Sequence, residues 1–236
     1  MLLWDLHCHS SGISKCAKIT YKEAIDEAKQ VGFDGIVLTN HYASDYFNIN
    51  SCNEFIDKYV LEFENAKAYG ETVGIKVIFG VEVTMEFNRK IHVLIYGISG
   101  IELKEKPNLF DLSIEELSTY CKDKGFALVQ AHPFRGGTNV LDSTYLDGIE
   151  INCHPLYKNT FSDELITIAK SNHIAITCGC DYHGDVWYRP KGGLFLPESI
   201  STSADLAHYI RNNKKFKLQI HEINDDNFKN LTVNID

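Results

Sequence analysis

The sequence predicts a single α/β domain in which helices cover a largely parallel sheet. Two observations predict this class. Short apolar runs alternate with helical patterns along most of the 236 residues, which is the pattern of repeated βα units. Hydrophobic residues make up 44% of the chain and charged residues 23%, as expected for a protein with a substantial core. Because no internal repeat or linker divides the chain, residues 1–236 are expected to form one domain.

The predicted elements follow one another in a regular order. Strands are predicted over residues 1–7, 35–39, 76–84, 91–96, 126–130, 148–152 and 175–178, with two more in the tail from residue 217. Helices are predicted over residues 20–31, 52–69, 113–125, 163–171 and 203–213. Thr20 and Ser113 each precede a glutamate by three positions, which is the capping-box pattern of a helix start. The polar residues 88–90 between the third and fourth strands predict a hairpin.

Charge and cysteine content exclude several classes of protein. The formal net charge of -9 repels a phosphate backbone, so no extended nucleic-acid surface is expected, although a few local cations can still hold one phosphate. The seven cysteines form no C-x-x-C pair, which disfavours a structural zinc ribbon. The absence of a secretory leader and of any membrane-length apolar run predicts a cytoplasmic protein with no membrane partner. The sequence gives no indication of an oligomeric state.

Side chains of the types that ligate metals fall mostly where the predicted strands end, while Glu82 lies within the third strand and His92 in the hairpin that follows it. The carboxyl ends of parallel strands converge on one face of such a sheet, where active sites are built. Six of the ten histidines, one glutamate and one aspartate are therefore expected to meet in one pocket. These candidate ligands are His7, His9, His41, Glu82, His92, His132, Asp181 and His183.

The spacing of these residues strengthens the metal hypothesis. His7 and His9 are two residues apart on a strand, so their side chains project to the same face and can hold one ion together. Asp181 and His183 repeat this spacing, and Glu82 is the central candidate for a bridging carboxylate. Any one of these residues, taken alone, has a structural alternative as a hydrogen-bonded side chain. Their combination predicts divalent ions, and imidazole with carboxylate suits zinc, manganese or iron.

The sequence resembles the PHP (polymerase and histidinol phosphatase) family. Four motifs carry the resemblance, namely Asp5-Leu-His7-Cys-His9-Ser10, Thr39-Asn40-His41, Ala131-His132-Pro133-Phe134-Arg135 and Gly179-Cys180-Asp181-Tyr182-His183. Glu82 and His92 stand where the family places its bridging glutamate and a further ligand. The motifs occur in the family's order and span essentially the whole chain.

The resemblance implies a distorted (β/α)7 TIM-like barrel that holds two or three divalent ions (Zn, Mn or Fe). The implied ligands are His7, His9, Glu82 and Asp181 for the first ion, Glu82, His92 and His132 for the second, and His41 and His183 for the third. Family members with a full third site often add a histidine in the loop after the H-x-H pair. Here Ser14, Lys15 and Cys16 stand in that loop, so the third site is expected to be absent or to have fewer protein ligands.

The leading functional hypothesis is hydrolysis of a small phosphomonoester by metal-activated water. Arg135, Asp181 and His183 are the predicted catalytic residues. Arg135 is the first choice for a phosphate contact, because a guanidinium group matches phosphate oxygens bidentately, and Arg189 and Lys15 are further candidates. An ion pair with a carboxylate is the structural alternative for Arg135.

Three alternative functions remain open from the sequence. The first is a phosphodiesterase or exonuclease that acts on nucleotides or oligonucleotide ends. The second is a metal-stabilised module without turnover. The third is C–N hydrolysis in the manner of amidohydrolases, although no candidate for a bridging carboxylated lysine is evident in the sequence.

Overall fold

One sheet, with helices packed around it, organises the chain. The computed structural model describes residues 1–47, 52–154, 160–184, 192–221 and 228–236. The strands are β1 (Leu2–Cys8), β2 (Gly35–Leu38), β3 (His41–Tyr42), β4 (Lys76–Thr84), β5 (His92–Tyr96), β6 (Ala127–Gln130), β7 (Gly148–Asn152), β8 (Ala175–Gly179), β9 (Gly193–Leu196), β10 (Lys215–His221) and β11 (Phe228–Asn234). The helices are α1 (Tyr21–Gln30), α2 (Cys52–Val73), α3 (Gly100–Glu105), α4 (Ile114–Lys124), α5 (Ser162–Asn172) and α6 (Ser203–Asn212).

The sheet curves into a nearly closed barrel. Its strand order is β11-β10-β9-β1-β2-β4-β5-β6-β7-β8, with β3 paired to β4. The chain after β8 returns to β1, where Cys8 and Tyr182 form a parallel bridge and the amide of His9 donates to the carbonyl of Tyr182 at 3.0 Å. This seam joins the first strand of the chain to the segment that carries Asp181 and His183.

The barrel departs from a strict alternation of parallel strands and helices. β5 runs antiparallel to both β4 and β6, and β9 to β11 extend the sheet beyond β1 as antiparallel strands. Only residues 85–91 join β4 to β5, too few for the crossover that a parallel pair needs. The predicted hairpin is therefore confirmed. The (β/α)7 arrangement is borne out only in the coarser form of a single α/β domain with a nearly closed barrel-like sheet.

Local sequence signals set most helix starts. The capping boxes predicted at Thr20 and Ser113 are present, and α3 and α6 begin with the same arrangement. The predicted end of α2 at residue 69 is wrong by one turn. The helix continues through Gly70 to Val73, because Gly70 allows close packing: a Cβ there would lie 2.5 Å from the carbonyl oxygen of Ile75. The chain turns instead at Gly74, whose φ is +79°.

The barrel strands are buried on both faces, as a sheet covered by helices requires. β2, β6 and β8 are buried at every position. Inside the barrel the hydroxyl of Tyr96 donates to the carbonyl of Leu6 at 2.9 Å, which satisfies a polar atom in the core. Among the residues described, no helix has the length and apolarity needed to cross a membrane.

Candidate metal centre

Glu82 lies at the centre of a cluster of histidines. It is fully buried on β4, opposite His41 of β3, and the hairpin brings His92 of β5 beside it. The distances from its carboxylate oxygens to histidine ring nitrogens are 2.6 Å for His41, 2.9 Å for His92, 3.0 Å for His132, 3.3 Å for His7 and 3.5 Å for His9. One carboxylate thus faces five imidazoles, which is the arrangement expected of a bridging ligand.

Asp181 completes the cluster from the opposite side. Its Oδ1 lies 3.0 Å from Nε2 of His9, 3.2 Å from Nε2 of His7 and 3.5 Å from Nδ1 of His183. Asp181 adopts a left-handed backbone conformation with φ of +52°, and His132 does so with φ of +31°. Residues other than glycine are uncommon in this region, and such strain concentrates at functional sites. Here it directs two side chains into the same cluster.

A buried carboxylate on β7 orients His7. Nδ1 of His7 donates to Oε1 of Glu150 at 2.9 Å, so Nε2 is the nitrogen that faces Glu82 and Asp181 and that is left for an ion when it loses its proton. The other oxygen of Glu150 accepts from the backbone amide of His132 and from Nδ2 of Asn152, both at 2.9 Å. A carboxylate behind a histidine is a common outer-shell arrangement in metal sites.

The hydroxyl of Ser14 orients His9 in the same way. This hydroxyl donates its one proton to Oδ1 of Asn40 at 2.8 Å and accepts from the amide of His41 at 3.0 Å. Its remaining lone pair accepts from Nδ1–H of His9, also at 3.0 Å. Nε2 of His9 therefore carries a lone pair, and it faces Asp181 and Glu82.

Polar atoms without hydrogen bonds mark the places where ions fit. Within the described part of the chain, five buried atoms of the cluster form no hydrogen bond, although each lies 2.6–3.5 Å from another of the five: Nε2 of His7, Nε2 of His9, Nδ1 of His41, Oε2 of Glu82 and Oδ1 of Asp181. Buried polar groups normally have partners, and once the imidazoles are neutral these atoms offer the lone pairs that divalent ions accept. The residues therefore fit divalent metal ions.

Potential ligand atoms within 4.8 Å of one another form four sets. The sets are His7 with His9, Glu82 and Asp181; His41 with Glu82 and His92; His9 with His41 and His183; and His154 with Asp181 and His183. The first matches the set expected for the first ion. In the second, His41 takes the place expected for His132, although Nε2 of His132 lies 3.0 Å from Glu82.

The charges of the cluster stabilise its anions. Burial would raise the pKa of Glu82, but the imidazoles of His92, His7 and His41 hold it well below its usual value. Burial also opposes ionisation of Asp181, yet His7 and Arg135 hold its pKa well below the usual value. The pKa of His7, which burial would lower, is instead raised well above normal by Glu150, Asp181 and Glu82. A bound ion would compete with that proton, because metal ligation requires the neutral imidazole.

The outer edge of the cluster contains His41, His183 and Cys16. Nε2 of His41 lies 3.4 Å from Nε2 of His183, whose Nδ1 donates to the carbonyl of Asp181 at 2.7 Å. Burial would raise the pKa of Cys16, but hydrogen bonds with His183 and His41 lower it to about 6. Cys16 was not among the predicted site residues, because a single cysteine in a loop carries no metal signal in sequence.

The three candidate phosphate contacts have different surroundings. Arg135 follows β6 at the edge of the cluster, pairs with Asp181 and donates to Oδ1 of Asn152 at 2.5 Å. The ion pair named as its structural alternative therefore exists, and it places the guanidinium beside a ligand. Lys15 donates to the carbonyl of Asp45 at 2.9 Å and lies over the ring of Tyr46. Arg189 lies outside the described residues.

Sequence reasoning missed Glu150, Ser14 and His154. Glu150 is a charged residue in the apolar strand β7, and that contrast was its one available signal. Ser14 forms hydrogen bonds with Asn40, which is 26 residues away in sequence, and with His9, which is five residues away. No periodicity in the sequence reveals either contact. His154 was not among the candidate ligands, and it lies in a potential ligand set with Asp181 and His183.

The family model of the PHP domain matches residues 5–232. The chain belongs to the PHP domain family. Family membership and the buried cluster together support a metal-dependent hydrolase. The comparison with curated proteins finds no significant match.

Two solved structures resemble this PHP domain in fold. PsfC from Pseudomonas syringae PB-5123 has a TM-score of 0.53 and 16% identity, over 93% of this chain and 83% of that chain. An amidohydrolase from Chromobacterium violaceum, solved with bound sulfate and no metal, has a TM-score of 0.58 and 15% identity, over 87% of this chain and 95% of that chain. At these identities the likeness shows the barrel architecture alone.

Proposed function

We propose that this PHP domain hydrolyses a small phosphomonoester with the help of two or three divalent ions. One observation carries the proposal: a buried cluster of lone-pair donors around Glu82 and Asp181 has an arginine at its edge. A metal centre of imidazoles and carboxylates beside a guanidinium group suits an anionic, oxygen-rich substrate.

The chemistry that divalent ions supply in such a cluster is a lowered pKa of water and neutralisation of phosphate charge. The chain's own residues provide the geometry. Glu150 fixes the ring of His7 and Ser14 fixes the ring of His9, so both Nε2 atoms point at the centre. Asp181 and His183, two of the predicted catalytic residues, act in this proposal as metal ligands. No serine or cysteine nucleophile is needed for the reaction.

Arg135 is proposed to bind a phosphate oxygen. Its side chain is 19% exposed, so a substrate can reach it, while Asp181 and Asn152 hold the guanidinium at the edge of the cluster. Its positive charge would neutralise charge that develops on phosphate oxygens during in-line attack.

Activity screening tests the proposal. Chelator-treated protein is reloaded separately with zinc, manganese or iron, then assayed on a phosphomonoester panel, a nucleotide diester and an N-acyl amide. We expect the monoesters to be hydrolysed fastest, and activity to disappear again on chelation. A preference for the diester or the amide would favour those alternatives. Inactivity on the whole panel despite bound metal would favour the non-catalytic module.

A matched pair of variants assigns any activity to the cluster. Glu82→Gln removes the central charge, and we expect it to abolish both metal binding and turnover. Glu71→Gln makes the same chemical change at an exposed position of α2 and should behave like the unaltered protein. Equal activity of Glu82→Gln and Glu71→Gln would mean that the hydrolysis does not take place at this cluster.

A further inference from the structure

His154 lies where the chain leaves β7, next to the end of β8. These two strands pair in parallel up to their last residues, and just beyond them the amide of Cys153 donates to the carbonyl of Gly179 at 2.8 Å. Parallel strands that end together deliver the residues that follow them to the same edge of the sheet. His154 is thereby brought beside the segment that carries Asp181 and His183.

The side chain of His154 is close to two groups of the metal centre. His154 is 7% exposed, and its ligand nitrogen lies within 4.8 Å of ligand atoms of Asp181 and His183. The ring centres of His154 and His183 are 6.3 Å apart. Nδ1 of His183 donates to the carbonyl of Asp181 at 2.7 Å, so Nε2 is the nitrogen that is left for an ion. Two imidazoles and one carboxylate therefore form a compact set of potential ligands.

This set differs from the other outer set, which contains His9, His41 and His183. Each member of that other set also belongs to a further set, and Nε2 of His9 lies 3.0 Å from Oδ1 of Asp181 in the inner one. Among the residues that the structure describes, His154 occurs in one set alone. Once inner ions hold His9 and His41, the partners that remain for His183 are Asp181 and His154.

We propose that His154, Asp181 and His183 hold the outermost divalent ion, and that Asp181 bridges this ion to the inner one. A carboxylate has two oxygens, so Asp181 can serve both ions. Two histidines and one carboxylate are the ligand set of catalytic zinc sites and of non-haem ferrous sites, which keep a position open for water or substrate. The inference rests on the metal dependence of the proposed function and not on a phosphate ester as substrate.

The proposed ion belongs to the side of the cluster that carries Arg135. Oδ1 of Asn152 accepts the amide of His154 at 3.1 Å and an N–H of the Arg135 guanidinium at 2.5 Å. Asp181 pairs with the same guanidinium group. An anion bound to this ion would therefore lie near a second positive charge, which favours anionic substrates over neutral ones.

Metal counting tests the ligand role of His154 without turnover. Zinc-saturated protein should carry three ions per chain by elemental analysis. His154→Ala should carry two, or bind the third at least ~10-fold more weakly, since loss of even an outer-shell partner typically costs 10–100-fold in affinity. His208→Ala removes an exposed imidazole of α6 and should carry three. Saturation of the unaltered protein at two ions, or equal stoichiometry and affinity in the two variants, would overturn the proposal.

Deuterium exchange at the C2 carbon of histidine rings gives a second readout, which uses the unaltered protein and does not depend on the folding of a variant. This exchange proceeds through the protonated imidazole, and metal ligation excludes that form. Peptide mass mapping assigns the rate to each histidine. The third equivalent of zinc should slow exchange at His154 and leave that of His208 unchanged. An unchanged rate at His154 would overturn the proposal. Both readouts can succeed in a protein inactive on every ester, so this inference and the proposed function fail separately.

Discussion

Oε1 of Glu150 accepts the Nδ1 proton of His7 at 2.9 Å, across the barrel from β7 to β1, and both side chains are fully buried. Through its other oxygen the same carboxylate receives the backbone amide of His132. One residue that binds no ion in the proposed scheme thus positions two that do. This relationship makes the metal centre sensitive to residues outside it.

Glu150→Gln should weaken metal binding by about 10–100-fold, the usual effect of losing an outer-shell carboxylate. One oxygen of Glu150 accepts two N–H donors and the other accepts one, so an amide NH₂ in either orientation meets a donor. Competition with a chromophoric chelator measures the affinity, with Glu71→Gln as the matched control. Equal affinities for the two variants would show that Glu150 does not orient the ligands.

Arg135→Met should lower kcat/KM for a phosphomonoester by about 10²-fold, the typical effect of losing one group that stabilises a developing oxyanion. Arg135→Lys keeps the charge but not the bidentate geometry, so its kcat/KM should lie between those of the unaltered protein and Arg135→Met. Because Arg135 also pairs with Asp181, metal content is measured for each variant. Loss of activity together with loss of metal would assign Arg135 a structural role instead.

Asp5 should make the metal-free protein less stable as the pH rises. Burial raises its pKa from 3.8 to about 7, although the amides of His7 and Cys180 donate to it. The folded state therefore holds the proton more tightly than the unfolded state does. The resulting stabilisation is complete below pH 3.8 and is lost as the pH rises through about 7.

Asp5→Asn should remove this dependence, since the amide does not titrate. The free energy of unfolding is measured by urea titration at pH values between 3.8 and about 7. It should fall with rising pH more steeply in the unaltered protein than in Asp5→Asn. The difference in slope should be at most ~1.4 kcal/mol per pH unit, the value for one proton. Parallel slopes would contradict the raised pKa.

Gly179→Ala should destabilise the barrel by about 1–3 kcal/mol, the usual range for overpacking. A Cβ at Gly179 would lie 2.5 Å from Cβ of His7 and 2.8 Å from Oε1 of Glu150. Gly148→Ala on the adjacent strand is the comparison, because its nearest contact would be 3.0 Å. Urea titration compares the two, and a smaller effect at Gly179 than at Gly148 would count against close packing between β8 and β1.

Local patterns in the sequence predicted the parts of the fold that local interactions determine. The capping residues Thr20 and Ser113 do satisfy helix amides, and the hairpin at residues 88–90 is present. The four residues of β9 escaped prediction because they have no periodicity of their own and become a strand through pairing with β1. The end of α2 was misplaced because packing against Ile75 makes Gly70 favourable inside the helix.

Most candidate ligands were predictable because they stand at or just after the end of a strand in a recognisable motif, whereas Glu82 lies within β4 and His92 begins β5. The residues that orient them were not, because Glu150 reaches His7 across 143 positions of sequence and Cys16 reaches His183 through a folded loop. Sequence spacing reports which side chains share a strand face, but not which strands become neighbours. The residues that orient the ligands could therefore be identified only from the three-dimensional structure.

The seam between Cys8 and Tyr182 also has a consequence for how the protein matures. The ligands span the chain from His7 near its start to Asp181 and His183 late in it, and the two ends meet only when the last barrel strand is in place. A nascent chain on the ribosome cannot assemble the inner ligand set until residue 181 has emerged. Loading of the inner ion therefore waits until most of the chain has been synthesised, and a product truncated before residue 181 would lack one ligand of that set.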